Sequence, residues 1–249
     1  MTEIVIPILT SFIAFLGFLF FILLWSNAGL KSTFDKFSKL RIDGKINNPK
    51  RFRPATYYKI VKRLIDFTCA LFALVILSPI MLLISLLIRI GSKGPIFTLR
   101  KRIGINGKLY YSIKFRTIYD VTENELSSEF PMRLNPRIIS LDRFLSITSL
   151  DYLPEFFNVL KGDMSIVGRS RILDYEKYAK FLSQDEIDAL YSIKPGITSL
   201  WAISRNKFDY SFDNIYDFDM YYMTNLSLFF DLRIFLGTLI VIFGSTSQE

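Results

Sequence analysis

FTCALFALVILSPIMLLISLLI, Phe67 to Ile88, is 22 residues without a charge, and Ser78-Pro79 stands in its middle. A second uncharged stretch of the same length, IVIPILTSFIAFLGFLFFILLW, runs from Ile4 to Trp25. As a helix, each is long enough to cross about 30 Å of hydrocarbon. Their flanks separate them. One acid precedes the first stretch and a basic region follows it, so the positive-inside bias makes it a span ending in the cytoplasm. The second has Lys62 and Arg63 before it and Arg89, Lys93, Arg100, Lys101 and Arg102 after it, so both of its ends belong in the cytoplasm. A helix that dips in, bends at Ser-Pro and returns satisfies this. Pro79 lacks an N–H and leaves the Val75 carbonyl unpaired. Ser78 can turn its hydroxyl back to a carbonyl one turn earlier. A spanning helix with a proline kink is the alternative these residues leave open.

Charge is concentrated beside the membrane. Between Asn27 and Arg63 stand eleven Lys or Arg against Asp35 and Asp43, giving +9, so the rest of a chain of net +8 sums to −1. An anionic bilayer surface suits that stretch at roughly 1 kcal/mol per basic residue. No nucleic-acid recognition motif accompanies it, so no nucleic-acid partner is expected. The chain has no histidine, which excludes Ser-His and Cys-His pairs and His-ligated metals. Its one cysteine, Cys69, permits neither an internal disulfide nor a Cys-based zinc site. Any metal is then held by oxygen, which favours magnesium or manganese. Covalent catalysis falls to Ser, Thr, Tyr, Lys, Asp or Glu. The opening Met-Thr-Glu is not basic and no small-residue cleavage site follows Trp25, so no cleaved leader is expected.

The expected organisation is an anchor over 1–26, a basic linker over 27–61 and one unit over 62–249, with its re-entrant helix over 62–93. Residues 96–118 read as two strands around Asn106-Gly107, a hairpin turn signal. Residues 120–148 read as polar and irregular. Ser149 to Leu160 reads as a helix. Asp174 to Ile193 reads as amphipathic, with a second start at the capping box Ser183-x-x-Glu186, and Lys194-Pro195-Gly196 ends it. The tail, Leu226 to Phe243, is broken by Asp231 and Arg233. Its longest uninterrupted run, Ile234 to Phe243, is too short to span, so it lies in the interface or packs on the core. The fold class is α+β, mostly helical and membrane-associated: a transmembrane helix, a re-entrant Ser-Pro-broken helix, and a small cytoplasmic domain with a β-hairpin and interfacial helices.

The densest chemistry is TSLDYLPEFFNVLKGDMSIVGRSR, Thr148 to Arg171, holding Asp151, Glu155, Asp163, Arg169 and Arg171 around a glycine loop. Acids and arginines together suit phosphate chemistry, because acids hold a divalent ion or attack phosphorus while arginines grip phosphate oxygens. A solvated helix followed by a turn is the bland reading of the same residues.

Several stretches then resemble one family. KRLIDFTCALFALVILSPI, GPIFTLRKRIGINGK, YSIKFRT, NPRI, SLDYLPEFFNVLKGDMSIVG, IKPGIT and DMYYMTNLSLFFDLRI stand in the order and spacing of the bacterial sugar transferases known as monotopic phosphoglycosyl transferases. The resemblance covers Lys62 to about Gly237. It implies a re-entrant helix carrying a cytoplasmic catalytic domain at the bacterial inner membrane. It implies transfer of a sugar 1-phosphate from a nucleotide diphosphate sugar, usually a UDP sugar, to polyprenyl phosphate, priming glycan or exopolysaccharide assembly. An aspartate attacks phosphorus and magnesium assists. Carried over, Asp151 is the nucleophile. Arg102, Lys114 and Arg116 on the hairpin face the diphosphate or the lipid headgroups, and Arg169, Arg171, Lys194 and Arg205 are further phosphate contacts.

The sequence departs from the family pattern at three places. Tyr152 stands where the family has glutamate, and Glu155, one helical turn from Asp151 if the segment is helical, is either the substitute metal ligand or a surface acid near a helix start. The family loop V-G-P-R-P reads Val167-Gly168-Arg169-Ser170-Arg171, with arginines on either side of the expected place. After Lys194-Pro195-Gly196-Ile197-Thr198 the family's glutamine is missing. A catalytically degenerate homologue acting as a membrane scaffold or partner is the rival expectation, and a homo-oligomer is left open.

Overall fold

The computed structural model describes residues 28–39, 55–91, 94–117, 143–145, 148–171, 182–204 and 212–244. The expected anchor Ile4–Trp25, most of the linker and the NPRI motif at 135–138 lie outside the described residues.

Residues 28–39 form a helix, α1, although they fall within the stretch read as linker. Leu30, Phe34 and Phe37 recur at helical spacing, and Leu30 and Phe37 are buried. Phe37 stacks on Phe218 at 4.2 Å and meets Tyr221 edge-on at 5.5 Å. The basic residues around this apolar stripe masked it in the sequence.

The long apolar segment lies within α2, Thr56–Gly91, a helix of 36 residues. At 1.5 Å per residue it is about 54 Å long, well beyond a bilayer core. It is the one described helix long and apolar enough to cross a membrane. The helix is not broken at Ser78-Pro79 as the sequence suggests: it runs as one element through Pro79, because a side chain takes over the hydrogen bond that proline omits. Ser78 Oγ donates to the Val75 carbonyl at 2.8 Å, the same carbonyl that proline leaves without its helical donor.

Both halves of α2 touch the same domain. Before Pro79, Arg63 donates to the carbonyls of Val159 and Leu160 at 2.6 and 2.7 Å. Asp66 accepts from Ser165 Oγ at 2.7 Å and from the Ile166 N–H at 3.1 Å. Lys62 pairs with Asp231 at 3.0 Å, and Tyr58 and Tyr222 each donate to that carboxylate at 2.6 Å. After Pro79, Met81, Ile84 and Ile88 are buried with Phe115 and Leu145, and Leu150 and Leu153 pack alongside. Leu64, Phe72, Val75, Ile76, Leu82, Leu83, Leu86 and Ile90 stay exposed on the remaining face.

Gly94, at φ +130°, turns the chain into a hairpin. Strand β1, Phe97–Ile103, pairs antiparallel with β2, Leu109–Phe115, with Arg102 opposite Tyr110 and Thr98 opposite Lys114. Asn106 (φ 54°) and Gly107 (φ 72°) form the expected turn, closed by Lys108 N–H to the Ile105 carbonyl at 3.1 Å. Along β2, Tyr110, Ser112 and Lys114 alternate inward and are buried.

The expected helix over Ser149 to Leu160 is two elements. A 3₁₀ turn covers Leu150–Tyr152, and α3 begins only at Glu155 and ends at Lys161. Pro154 is the cause: without an N–H it cannot continue a hydrogen-bonded run, but it suits the residue that opens one. Gly162, at φ +100°, ends α3, and its N–H bonds back to the carbonyls of Asn158 and Val159.

A short parallel pair follows, β3 (Ser165–Val167) beside β4 (Gly196–Thr198). A Cβ on Gly168 would lie 2.4 Å from the Lys194 carbonyl oxygen, so only glycine lets these backbones meet. Between them α4, Gln184–Leu190, begins at the expected capping box, with Ser183 and Glu186 each capping the other's backbone. Helix α5, Phe212–Thr224, buries Phe218, Met220, Tyr222 and Met223. Helix α6, Leu228–Gly244, buries Phe230 and Ile234 and exposes Phe229, Leu232 and Ile242. It thus packs on the core along one face and presents apolar side chains along another.

Candidate active site

Asp151 sits in the 3₁₀ turn, entered through Ser149 in the left-handed region at φ 56°. Its residue is only 3% exposed. Leu150 and Leu153, on either side of it, rest against the second half of α2, which fixes the turn's height relative to that helix. Lys114, reaching in from β2, places Nζ 3.9 Å from Asp151 Oδ2.

Glu155 opens α3 at 1% exposure. Ser112 Oγ donates to its Oε1 at 2.7 Å, and Arg171 pairs with its Oε2. Burial pushes this carboxyl up from its ordinary value, and the Arg171 charge and the Ser112 hydrogen bond oppose that push. Arg171 is held from three sides. It meets Glu155, donates to the Ile197 carbonyl at 3.2 Å, and lies 4.0 Å over the ring of Tyr152. Lys114 lies 5.7 Å from the centroid of the same ring, so one aromatic ring meets two cations. Burial raises the Tyr152 phenol above its ordinary value, and it is neutral at physiological pH. Arg102 donates to the backbone carbonyl of Arg171 at 2.9 Å and so ties the hairpin to the loop.

The arrangement can bind and polarise an anionic group. A carboxylate, a lysine and an arginine converge beside a half-buried aromatic ring, on three different elements.

A family model described as bacterial sugar transferase matches residues 57–245. The chain belongs to the bacterial sugar transferase family. It is 34% identical over 197 residues to the undecaprenyl-phosphate galactose phosphotransferase of Salmonella typhimurium, covering 72% of this chain and 40% of that one. It is 32% identical over 199 residues to the exopolysaccharide production protein ExoY of Sinorhizobium fredii, covering 72% and 84%. It is 34% identical over 180 residues to the UDP-glucose:undecaprenyl-phosphate glucose-1-phosphate transferase of Klebsiella pneumoniae, covering 70% and 38%. The chain thus spans about two-fifths of the Salmonella and Klebsiella relatives.

In this chain, the residues expected from the sequence divide into groups. Asp151, Glu155, Lys114, Arg171 and Arg102 come together. Arg169 does not join them: it is 2% exposed, donates to the carbonyls of Ile103 and Ser170, and stacks on Tyr191 at 4.6 Å. It braces the glycine loop against the hairpin. Lys194 stands near Arg63, Asp66 and Asp163 by α2, and burial followed by repulsion from Arg63 lowers its ammonium pKa. Arg116 crosses Gly94 at the junction of α2 and the hairpin. Arg205 lies outside the described residues.

Three contributors carry roles that the sequence did not assign. Ser112 shares the inward alternation of Tyr110 and Lys114, and that period of two would have found it. Asn158 accepts from the Ile113 N–H at 3.0 Å and donates to the Tyr111 carbonyl at 2.7 Å, holding α3 against the edge of β2. Asp219, on α5, accepts from the Ser170 N–H at 2.8 Å and so steadies the loop that bears Arg171. The last two fall in family-like stretches, but nothing in the local sequence announces what they do.

The residues present do not fit the expected magnesium ion. Magnesium at a phosphate-transfer site needs one or two unengaged carboxylate oxygens, with waters and substrate phosphates completing its octahedron. Both oxygens of Glu155, the expected ligand, are taken by Ser112 and Arg171, and Tyr152 is a neutral phenol.

Proposed function

We propose that this chain transfers a sugar 1-phosphate from a nucleotide diphosphate sugar, of the UDP class, to polyprenyl phosphate. The reaction takes place at the cytoplasmic face of the bacterial inner membrane and primes glycan or exopolysaccharide assembly. The observation that carries this reading is the buried Asp151 carboxylate beside Lys114, with Arg171 mounted on the neighbouring ring.

The chemistry runs in two displacements. An Asp151 oxygen attacks the sugar-bearing phosphorus, forming an aspartyl O–P bond. The bond from that phosphorus to the bridging oxygen breaks, and its electron pair leaves on the nucleoside monophosphate. A phosphate oxygen of the polyprenyl carrier then attacks the same phosphorus, and the electron pair of the aspartyl O–P bond returns to Asp151. Lys114 and Arg171 oppose the negative charge that spreads over the phosphoryl oxygens in each transition state.

The contacts of α2 support re-entry over spanning. Buried positions from Asp66 to Ile88 face one domain along about 33 Å of helix, while the opposite face is apolar and exposed. A helix crossing the bilayer could not keep a water-soluble domain against both halves. The exposed apolar side chains of α6 suit the same interface.

The test is nucleoside monophosphate release from a panel of UDP sugars by the full chain in lipid nanodiscs. Release before polyprenyl phosphate is added is expected, because the covalent step precedes the acceptor. Absence of release with every sugar, with acceptor and magnesium present, would replace this reading with the scaffold one.

A further inference from the structure

We propose that Arg171, seated on Tyr152 and anchored by Glu155, supplies with Lys114 the positive charge at the transferring phosphoryl group, so that this chain transfers phosphosugar without a divalent ion. This deepens the transfer reading and rests on it.

Three observations carry the inference. First, both carboxylates of the cluster face protein cations: Asp151 faces Lys114 and Glu155 faces Arg171. A divalent ion at Glu155 would have to strip a charge-assisted arginine bond and a serine hydroxyl from a group that is 1% exposed. Second, Arg171 is placed as a reagent rather than a brace. Among the described residues its side-chain hydrogen bonds are all made by one amino group, Nη1, to Glu155 and Ile197. The guanidinium carbon stands 4.0 Å over the Tyr152 ring, its side chain keeps some exposure, and forked donors suit phosphate. Arg169, two residues earlier, shows the contrast: its donors go to carbonyls inside the core. Third, Tyr152 could not serve a metal, yet it serves a cation. Its ring lies under Arg171 and near Lys114, and its phenol stays neutral. Glu155 and Tyr152 are therefore positioning residues for Arg171, and Arg171 and Lys114 are the groups that touch substrate.

The experiment uses the full chain in nanodiscs, stripped of metal. Nucleoside monophosphate release is followed in EDTA and in magnesium, and manganese binding is followed by electron paramagnetic resonance without nucleotide. The expected results are release rates within a few-fold of each other in the two buffers and no stoichiometric manganese site. Arg171→Gln is expected to lose about a hundredfold in release, the usual scale for removing one charge-stabilising donor. Tyr152→Leu is expected to raise KM for the nucleotide sugar more than it lowers kcat, and Tyr152→Phe to restore most of that loss. A manganese site that Glu155→Gln abolishes overturns the inference whatever the activity. Release that occurs only with magnesium overturns it while leaving the transfer reading intact. No release in either buffer removes the transfer reading and this inference together.

Discussion

Asn158 offers the sharpest test of how the fold builds the site. Its amide bonds to both backbone groups flanking Ser112, accepting from Ile113 and donating to Tyr111, so it substitutes for a third strand along the free edge of β2. Asn158→Ala removes both bonds at once. Leaving a buried polar group without its partner costs about 1–3 kcal/mol. Because both bonds are only partly buried, the lower half of that range applies, and the pair is worth ~3 kcal/mol. For a domain of this size each kcal/mol moves Tm by about 2–4 °C, so the variant should melt roughly 6–12 °C lower. Asn158→Asp keeps the acceptor and loses the donor, so it should fall between. Thermal unfolding of the nanodisc-held protein, followed by tryptophan fluorescence, reads the shift. Ser112 and Lys114 ride on the strand this amide holds, so nucleotide release should fall in parallel. A Tm within about 2 °C of wild type would refute the reasoning.

Burial pushes the Asp219 carboxyl up to about 7, from an ordinary value of 3.8. The native state then holds a proton that the unfolded chain releases, so this group's contribution to stability falls as pH rises from about 4 to about 7. The displacement amounts to ~4 kcal/mol, and Asp219→Asn, which can still accept from Ser170, should flatten that part of the pH profile in chemical unfolding. In a Cys69→Ser background, single cysteines at Ile60 and Lys93 should be labelled from the same side of sealed vesicles. Labelling from opposite sides would make α2 an ordinary span. Gly168→Ala should disrupt the β3–β4 pairing, since the added methyl meets backbone rather than a movable side chain, and the loss should register as a lower Tm.

Local signals in the sequence carried much of the fold. The hairpin turn at Asn106-Gly107, the capping box at Ser183 and the Ser78 bond to Val75 each depend on residues a few positions apart, and each is present as read. Association of the chain with a sugar-transferring family was legible for the same reason, in short motifs. The reading faltered where one residue or the environment decides. Pro154 divides a helix that hydrophobic spacing alone would run together. The stripe of α1 was hidden by its lysines. Arg169 and Arg171, two residues apart with the same charge, take opposite roles because the backbone between them turns one into the core and the other onto Tyr152. That division depends on Tyr191 and Tyr152, which lie far apart in the chain.

The central claim is that Asp151 carries the phosphosugar. Intact-mass spectrometry of the full chain, mixed with the UDP sugar that supports nucleotide release and quenched before any polyprenyl phosphate is added, tests it most directly. The account predicts a mass gain equal to one sugar phosphate less one water, mapped by peptide analysis to Asp151, lost on adding the lipid acceptor and absent in Asp151→Asn. Turnover by Asp151→Asn at the wild-type rate, or an adduct on another residue, would contradict it.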